Sequence, residues 1–86
     1  MYLIIVYDTD RKNCAKLHKS LKKHLMWNQR SVFEGNVTEA QYVEIKHLLK
    51  KVRHPNSYIV FFKVDNEKML EKEELGTGEG HVSNIL

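Results

Sequence analysis

With 86 residues, one cysteine and a formal net charge of +3, the chain is bounded before any motif is read. It makes one domain, its lone Cys14 excludes an internal disulfide and a cysteine-based zinc cluster, and so mild a basic excess permits a nucleic-acid partner without requiring one. A domain this small buries a modest fraction of its surface, so self-association is an expected source of stability.

The first predicted element is a strand. Tyr2, Leu3, Ile4, Ile5, Val6 and Tyr7 run unbroken to Asp8, a β-branched and aromatic composition that favours extended chain. The run is too short to span a membrane, and it has neither the basic lead nor the small-residue cleavage site of an export signal. The expectation is a cytoplasmic protein with no membrane partner. Alternation puts Leu3, Ile5 and Tyr7 on one face and Tyr2, Ile4, Val6 and Asp8 on the other. Both faces are apolar as far as Asp8, so both need cover.

Asp10 is placed to cap a helix over Arg11 to Leu25. Cys14, Leu17, His18, Leu21 and Leu25 recur at three-and-four spacing as its inner face. Lys12, Lys16, Lys19 and Lys23 form a stripe on the opposite face with no acid among them, so a salt-bridge ladder is excluded. A solvated face explains such a stripe; phosphates that relieve the repulsion explain it better, which makes the four lysines candidate nucleic-acid contacts.

Met26 to Val37 reads as extended chain, two short strands or one bent one, with Gly35-Asn36 as a turn or bulge signal. Gln29 and Arg30 either reach a nucleic acid or sit on an edge. Thr38 and Gln41 make a capping box, and Val37 with Tyr42 a hydrophobic staple, opening a second helix. Its buried stripe is Tyr42, Ile45, Leu48, Leu49 and Val52, and it must stop near Arg53 because His54 precedes Pro55. Lys46, Lys50, Lys51 and Arg53 offset its dipole. Ser57 to Val64 is a second strongly apolar strand, and Asp65 to Leu75 is acidic, with room for a helical turn. Gly76, Gly78 and Gly80 then precede an apolar terminus. Such a tail docks away from its point of departure, as a strand exchanged between two copies would. The division is therefore a core over 1–64 and an extension over 65–86.

Strand, helix, extended pair, helix, strand is an α+β order that fits the ferredoxin-like βαββαβ arrangement, here with an extra C-terminal strand. Both helices cover one sheet face. The face bearing Tyr2, Ile4 and Val6 stays open, and a homodimer that packs two sheets face to face closes it.

No P-loop, zinc-ligand spacing, dinucleotide fingerprint or nucleophile elbow occurs. His18, His24, His47, His54 and His81 are scattered and read as structural or solvated. The aromatic signature of RNA-binding ferredoxin-like domains is missing from the last strand. Asp8 remains, at the loop entering the first helix. It can bond the backbone of the Thr9-Asp10 turn. In a symmetric dimer closed by its own face, two Asp8 side chains instead approach the axis, and close carboxylates bind a cation or shift a pKa. Mg2+ accepts one or two carboxylates and keeps its waters; held there it would activate water toward a phosphodiester.

Tyr7-Asp8 closing the first strand, the basic first helix, Gln29-Arg30-Ser31-Val32-Phe33-Glu34-Gly35 and Thr38-Glu39 together resemble the second of the two universal CRISPR-associated protein families, the small dimeric partner of the integrase in spacer acquisition. The resemblance covers about 1–64. It implies a ferredoxin-like homodimer that exchanges its terminal strands, a complex with the CRISPR integrase, and a dimer spanning the middle of a double-stranded DNA segment. It also implies a magnesium-dependent endonuclease acting on single-stranded RNA or double-stranded DNA, with Asp8 as metal ligand and Tyr7 and Phe33 in the active region. Where several relatives carry arginines early in the first helix, this chain has Cys14 and Lys16, and lysine lacks the arginine fork. A domain that binds a regulatory ligand and cleaves nothing is the alternative, disfavoured by the lysine stripe and the lack of a glycine-rich ligand loop.

Overall fold

The structure, a computed structural model, describes residues 1–76. The exchanged terminal strand expected from the tail lies outside them. Four strands and two helices alternate: β1 (Tyr2–Asp8), α1 (Arg11–Leu21), β2 (Met26–Gln29), β3 (Val32–Asn36), α2 (Glu39–Val52) and β4 (Tyr58–Val64), followed by a 3₁₀ turn at Glu67–Met69. The sheet order is β2-β3-β1-β4 and every pairing is antiparallel. This is the ferredoxin-like order, in which β3 splits the β1-α1-β2 unit.

The strand that the sequence marks most strongly is central. β1 pairs with β3 along Tyr2 to Val6 and with β4 along Tyr2 to Asp8. Leu3, Ile5 and Tyr7 are buried beneath the helices with Leu17, Leu21, Phe33, Ile45 and Leu49. This contiguous cluster is the core, and its burial is the main term holding the two layers together. α1 lies over the β2-β3 side, where the His18 ring meets Trp27 edge-on at 4.8 Å and Phe33 at 5.2 Å. α2 lies over the β4 side, with Tyr42 edge-on to Phe61 at 6.0 Å.

The capping signals hold. The Asp10 carboxylate accepts from the Asn13 amide N–H at 2.9 Å. The Thr38 hydroxyl accepts from the Gln41 N–H, while the Gln41 side chain accepts from the Thr38 N–H. α2 ends at Val52, as the Pro55 constraint requires.

Three expectations are corrected. α1 stops at Leu21, not Leu25; a turn over Lys22 to His24 carries Leu25 into the core by another route. Lys23 therefore lies beyond the helix and only Lys12, Lys16 and Lys19 stand on it. The reversal between β2 and β3 falls at Arg30-Ser31, not at Gly35-Asn36. Arg30 adopts φ +38°, a left-handed conformation that arginine rarely takes, and the Trp27 indole holds it by donating to the Arg30 carbonyl at 2.9 Å. Gly35 instead lies within β3, where a Cβ would come within 3.2 Å of the Leu25 side chain. The bulge is in β2, between Trp27 and Gln29.

The third correction concerns the open sheet face. Ile4 is half-buried and Val6 exposed, but Tyr2 is only 5 % exposed within a single chain. Its hydroxyl donates to Glu34 at 2.9 Å, and the segment after β4 brings the Lys72 ammonium onto the same carboxylate. The free apolar surface shifts toward β4, where Val60 and Phe62 stand beside Val6 and Ile4 in register. Phe62 is 55 % exposed.

Candidate active site and nucleic-acid interface

One end of the sheet gathers the residues that carry chemistry. β1 ends there at Asp8, α1 begins there at Arg11, and β4 begins there with Tyr58 directly across from Asp8. The Arg30-Ser31 turn joins them, because the Tyr7 N–H donates to the Ser31 carbonyl at 3.1 Å. Asp8 is exposed, on the open face, at the rim of the apolar surface made by Val6 and Val60. Asp10 is a helix cap. Hydrogen bonds, first from the Asn13 backbone and then from its side chain, hold the Asp10 carboxyl below the usual range.

Tyr7 and Phe33 go the other way. Alternation puts Tyr7, one residue from Asp8, on the helix face, where it is buried and stacks on Phe33 with ring centres 6.4 Å apart. Phe33 is wholly buried. The structure thus brings Tyr7 and Phe33 together but places neither beside the Asp8 carboxylate within one chain. Burial first, then the neighbouring Cys14 thiol, push the Tyr7 hydroxyl well above the ordinary tyrosine pKa. The Cys14 sulfur stands 3.8 Å from the Ser31 hydroxyl. Among the described residues the Cys14 thiol is the polar neighbour of the Tyr7 hydroxyl, and none meets that hydroxyl at full hydrogen-bonding geometry.

Lys12, Lys16, Lys19 and Lys23 are all exposed. Among the described residues the ion pairs are those of Lys72, with Glu34 and Glu74, so no carboxylate neutralises the lysines of α1. Arg30 is exposed at the hairpin tip, on the same end of the molecule as Asp8.

Two further residues were not singled out by their sequence pattern. Tyr58, 68 % exposed, presents a phenol opposite Asp8. Glu34 is a buried carboxylate on the open face. It takes the Tyr2 hydroxyl and the Lys72 ammonium on one oxygen and the Asn28 amide, at 2.9 Å, on the other. Asn28 reaches it from the β2 bulge, a usual way to re-aim a side chain. Burial alone would raise the Glu34 pKa; hydrogen bonds from Lys72, Asn28 and Tyr2 overcome it and hold the carboxyl below its ordinary value. Burial, then the bond to Glu34, raise that of Tyr2.

Among the described residues no three His, Cys, Asp or Glu side chains cluster as a metal site. The one carboxylate that Asp8 brings to the sheet rim suits a hard cation that keeps most of its waters. No helix among the described residues is long and apolar enough to cross a membrane.

Fold and site define a ferredoxin-like α+β protein that displays a carboxylate at the rim of an open apolar sheet face, with exposed lysines on a helix of the other layer. The chain belongs to the CRISPR associated protein Cas2 family, whose model matches residues 1–72. It is 37% identical to the CRISPR-associated endoribonuclease Cas2 of Methanosarcina acetivorans and 38% identical to that of Pyrococcus furiosus, in each case over the full length of both chains. A crystal structure of Cas2 superposes with a TM-score of 0.83 at 30% identity, covering 100% of this chain and 98% of the other. The Streptococcus pyogenes Cas2 crystallised at pH 6.5 gives 0.77 at 29% identity, covering 88% and 100%.

Proposed function

We propose that the protein acts as a homodimer that binds duplex DNA, bridges the CRISPR integrase during spacer acquisition, and cleaves phosphodiester bonds with Mg2+ held by Asp8. The observation that carries this reading is the position of Asp8, an exposed carboxylate at the edge of an uncovered apolar face. Stacking Ile4, Val6, Val60 and Phe62 of two copies removes apolar surface from water and sets two Asp8 carboxylates near one axis. The pair supplies the negative charge that a cation needs, and the relatives' name of endoribonuclease supports RNA as one substrate. When bound, the cation supplies Lewis acidity at the scissile phosphate. Lys12, Lys16, Lys19 and Lys23, with Arg30 nearer the carboxylates, neutralise the phosphates of the bound strand. Tyr7 and Phe33 act from the core, by fixing the end of β1 and therefore the direction of Asp8.

The test is Asp8→Asn. Asparagine keeps size and hydrogen bonding but loses the charge that holds the cation. Cleavage of single-stranded RNA or duplex DNA should be abolished, with dimer mass and duplex affinity retained. Retained cleavage by the variant, or equal wild-type cleavage in excess chelator, removes Asp8 and the metal from the reaction. Spacer acquisition in cells supported by Asp8→Asn assigns the bridging role to the dimer surface alone.

A further inference from the structure

A basic row on α2 has no part in the site above. Lys46 and Lys50, four residues apart, share one side of the helix, and Arg53, the extended residue that caps its C-terminus, follows them. No carboxylate among the described residues pairs with them. Helix-dipole compensation acts within the last turn; it accounts for Lys50 but not for Lys46, six residues before the end of α2 at Val52. The three cations instead rim a cleft of about 320 Å³ between the C-terminal half of α2 and the start of β4, lined with Leu49 and Ile59. Arg53 is tied to this rim, because its guanidinium donates to the His54 carbonyl at 3.3 Å.

We infer that this cleft is a docking groove for an acidic peptide segment of another protein, one that seats an apolar side chain between α2 and β4 and sets carboxylates against Lys46, Lys50 and Arg53. Charge complementarity selects the carboxylates. The apolar lining selects the anchor, since a purely electrostatic ligand such as a duplex backbone leaves it unfilled. A single strand stacking its bases is a poorer match. Single-strand binders offer free aromatic faces, whereas Phe61 within the cleft is already packed edge-on by Tyr42 at 6.0 Å. Tyr58, at the lip, stands across from Asp8 on the other sheet face by register. The groove is on the helix side, so it stays accessible when two open sheet faces pack together, and it does not depend on the nuclease reading.

The test is selection of a random nine-residue peptide library on the full-length protein, followed by affinity measurement of the enriched peptides. Enrichment of sequences with Asp or Glu flanking Leu, Ile or Phe is expected. Lys50→Glu with Arg53→Glu should weaken them by at least about tenfold, since it sets like charge against the peptide, while Lys16→Ala with Lys19→Ala leaves them unchanged. Lys50→Ala, at an exposed position, should weaken them by a few-fold and serves where the double variant unfolds. No enrichment, enriched peptides that bind the Lys50 variants equally, or their displacement by oligouridine at stoichiometric concentration would overturn the assignment; the last outcome makes the cleft a nucleic-acid groove.

Discussion

Glu34→Gln tests how the open face is built. The Glu34 side chain is 4 % exposed and serves three donors, whereas Lys72 keeps 33 % of its surface in water. Glutamine preserves the shape but turns one acceptor oxygen into a donor, so either Asn28 or the Tyr2–Lys72 pair loses its partner. A hydrogen bond to a charged acceptor contributes about 1.5–3 kcal/mol, and Lys72 recovers part of its hydration, so a net loss of about 2 kcal/mol is expected. In a domain of this size each kcal/mol moves Tm by about 4–8 °C, which predicts a drop of about 8–16 °C at neutral pH. The pH dependence has a fixed sign. The folded carboxyl sits below the ordinary glutamate pKa of 4.5, so its stabilisation is complete above that value and is lost as pH falls through the folded pKa. The gap in Tm between wild type and Glu34→Gln, followed by circular dichroism at one protein concentration, should therefore be widest near neutrality and close in acid. Equal Tm values at pH 7, or a gap that persists undiminished at low pH, would refute the reasoning.

Phe62→Lys should give a monomer by sedimentation where the wild type gives twice the chain mass, because it sets a charge in the apolar face proposed to close the dimer; an unchanged dimer places the interface elsewhere. Lys16→Ala with Lys19→Ala should flatten the salt dependence of duplex binding by about 0.9 in log-log slope for each phosphate no longer neutralised, and an unaltered slope makes those lysines solvated surface. Thr38→Ala removes the acceptor for the Gln41 N–H and should cost about 1 kcal/mol, read as a Tm lower by about 4–8 °C.

What the sequence disclosed followed from periodicity and caps. The alternation of β1, the Asp10 and Thr38 caps and the stop before Pro55 are local signals, and the element order they produce leaves few arrangements other than the ferredoxin-like one. The β2-β3 turn was hidden because it contains no glycine or asparagine; an indole bond to a carbonyl sustains Arg30 at positive φ instead. The end of α1 was hidden because Leu25 continues the apolar period although the chain has already turned. Asp8 was legible as a strand-end carboxylate, but Tyr7, its neighbour in sequence, and Phe33, on β3, both lie on the other sheet face. Glu34 could not be read, since its main partner is 38 positions away.

The route of the chain after β4 bears on where this protein can be cut. β4 is one edge of the sheet, yet Lys72 bonds Glu34 on β3, and residues around it border Asn28 and Gln29 on β2, the opposite edge. Glu67 makes an earlier fastening, accepting from the Asn36 amide at 2.9 Å. The segment is a strap across strands it never pairs with. A protein truncated after Val64 would keep β1 to β4, α1 and α2 and still lose a lid, leaving the Glu34 carboxylate without the Lys72 counter-charge and opening Tyr2 to water. Composition changes at Val64, but the polar fastening runs on to Lys72, the same residue at which the family match ends.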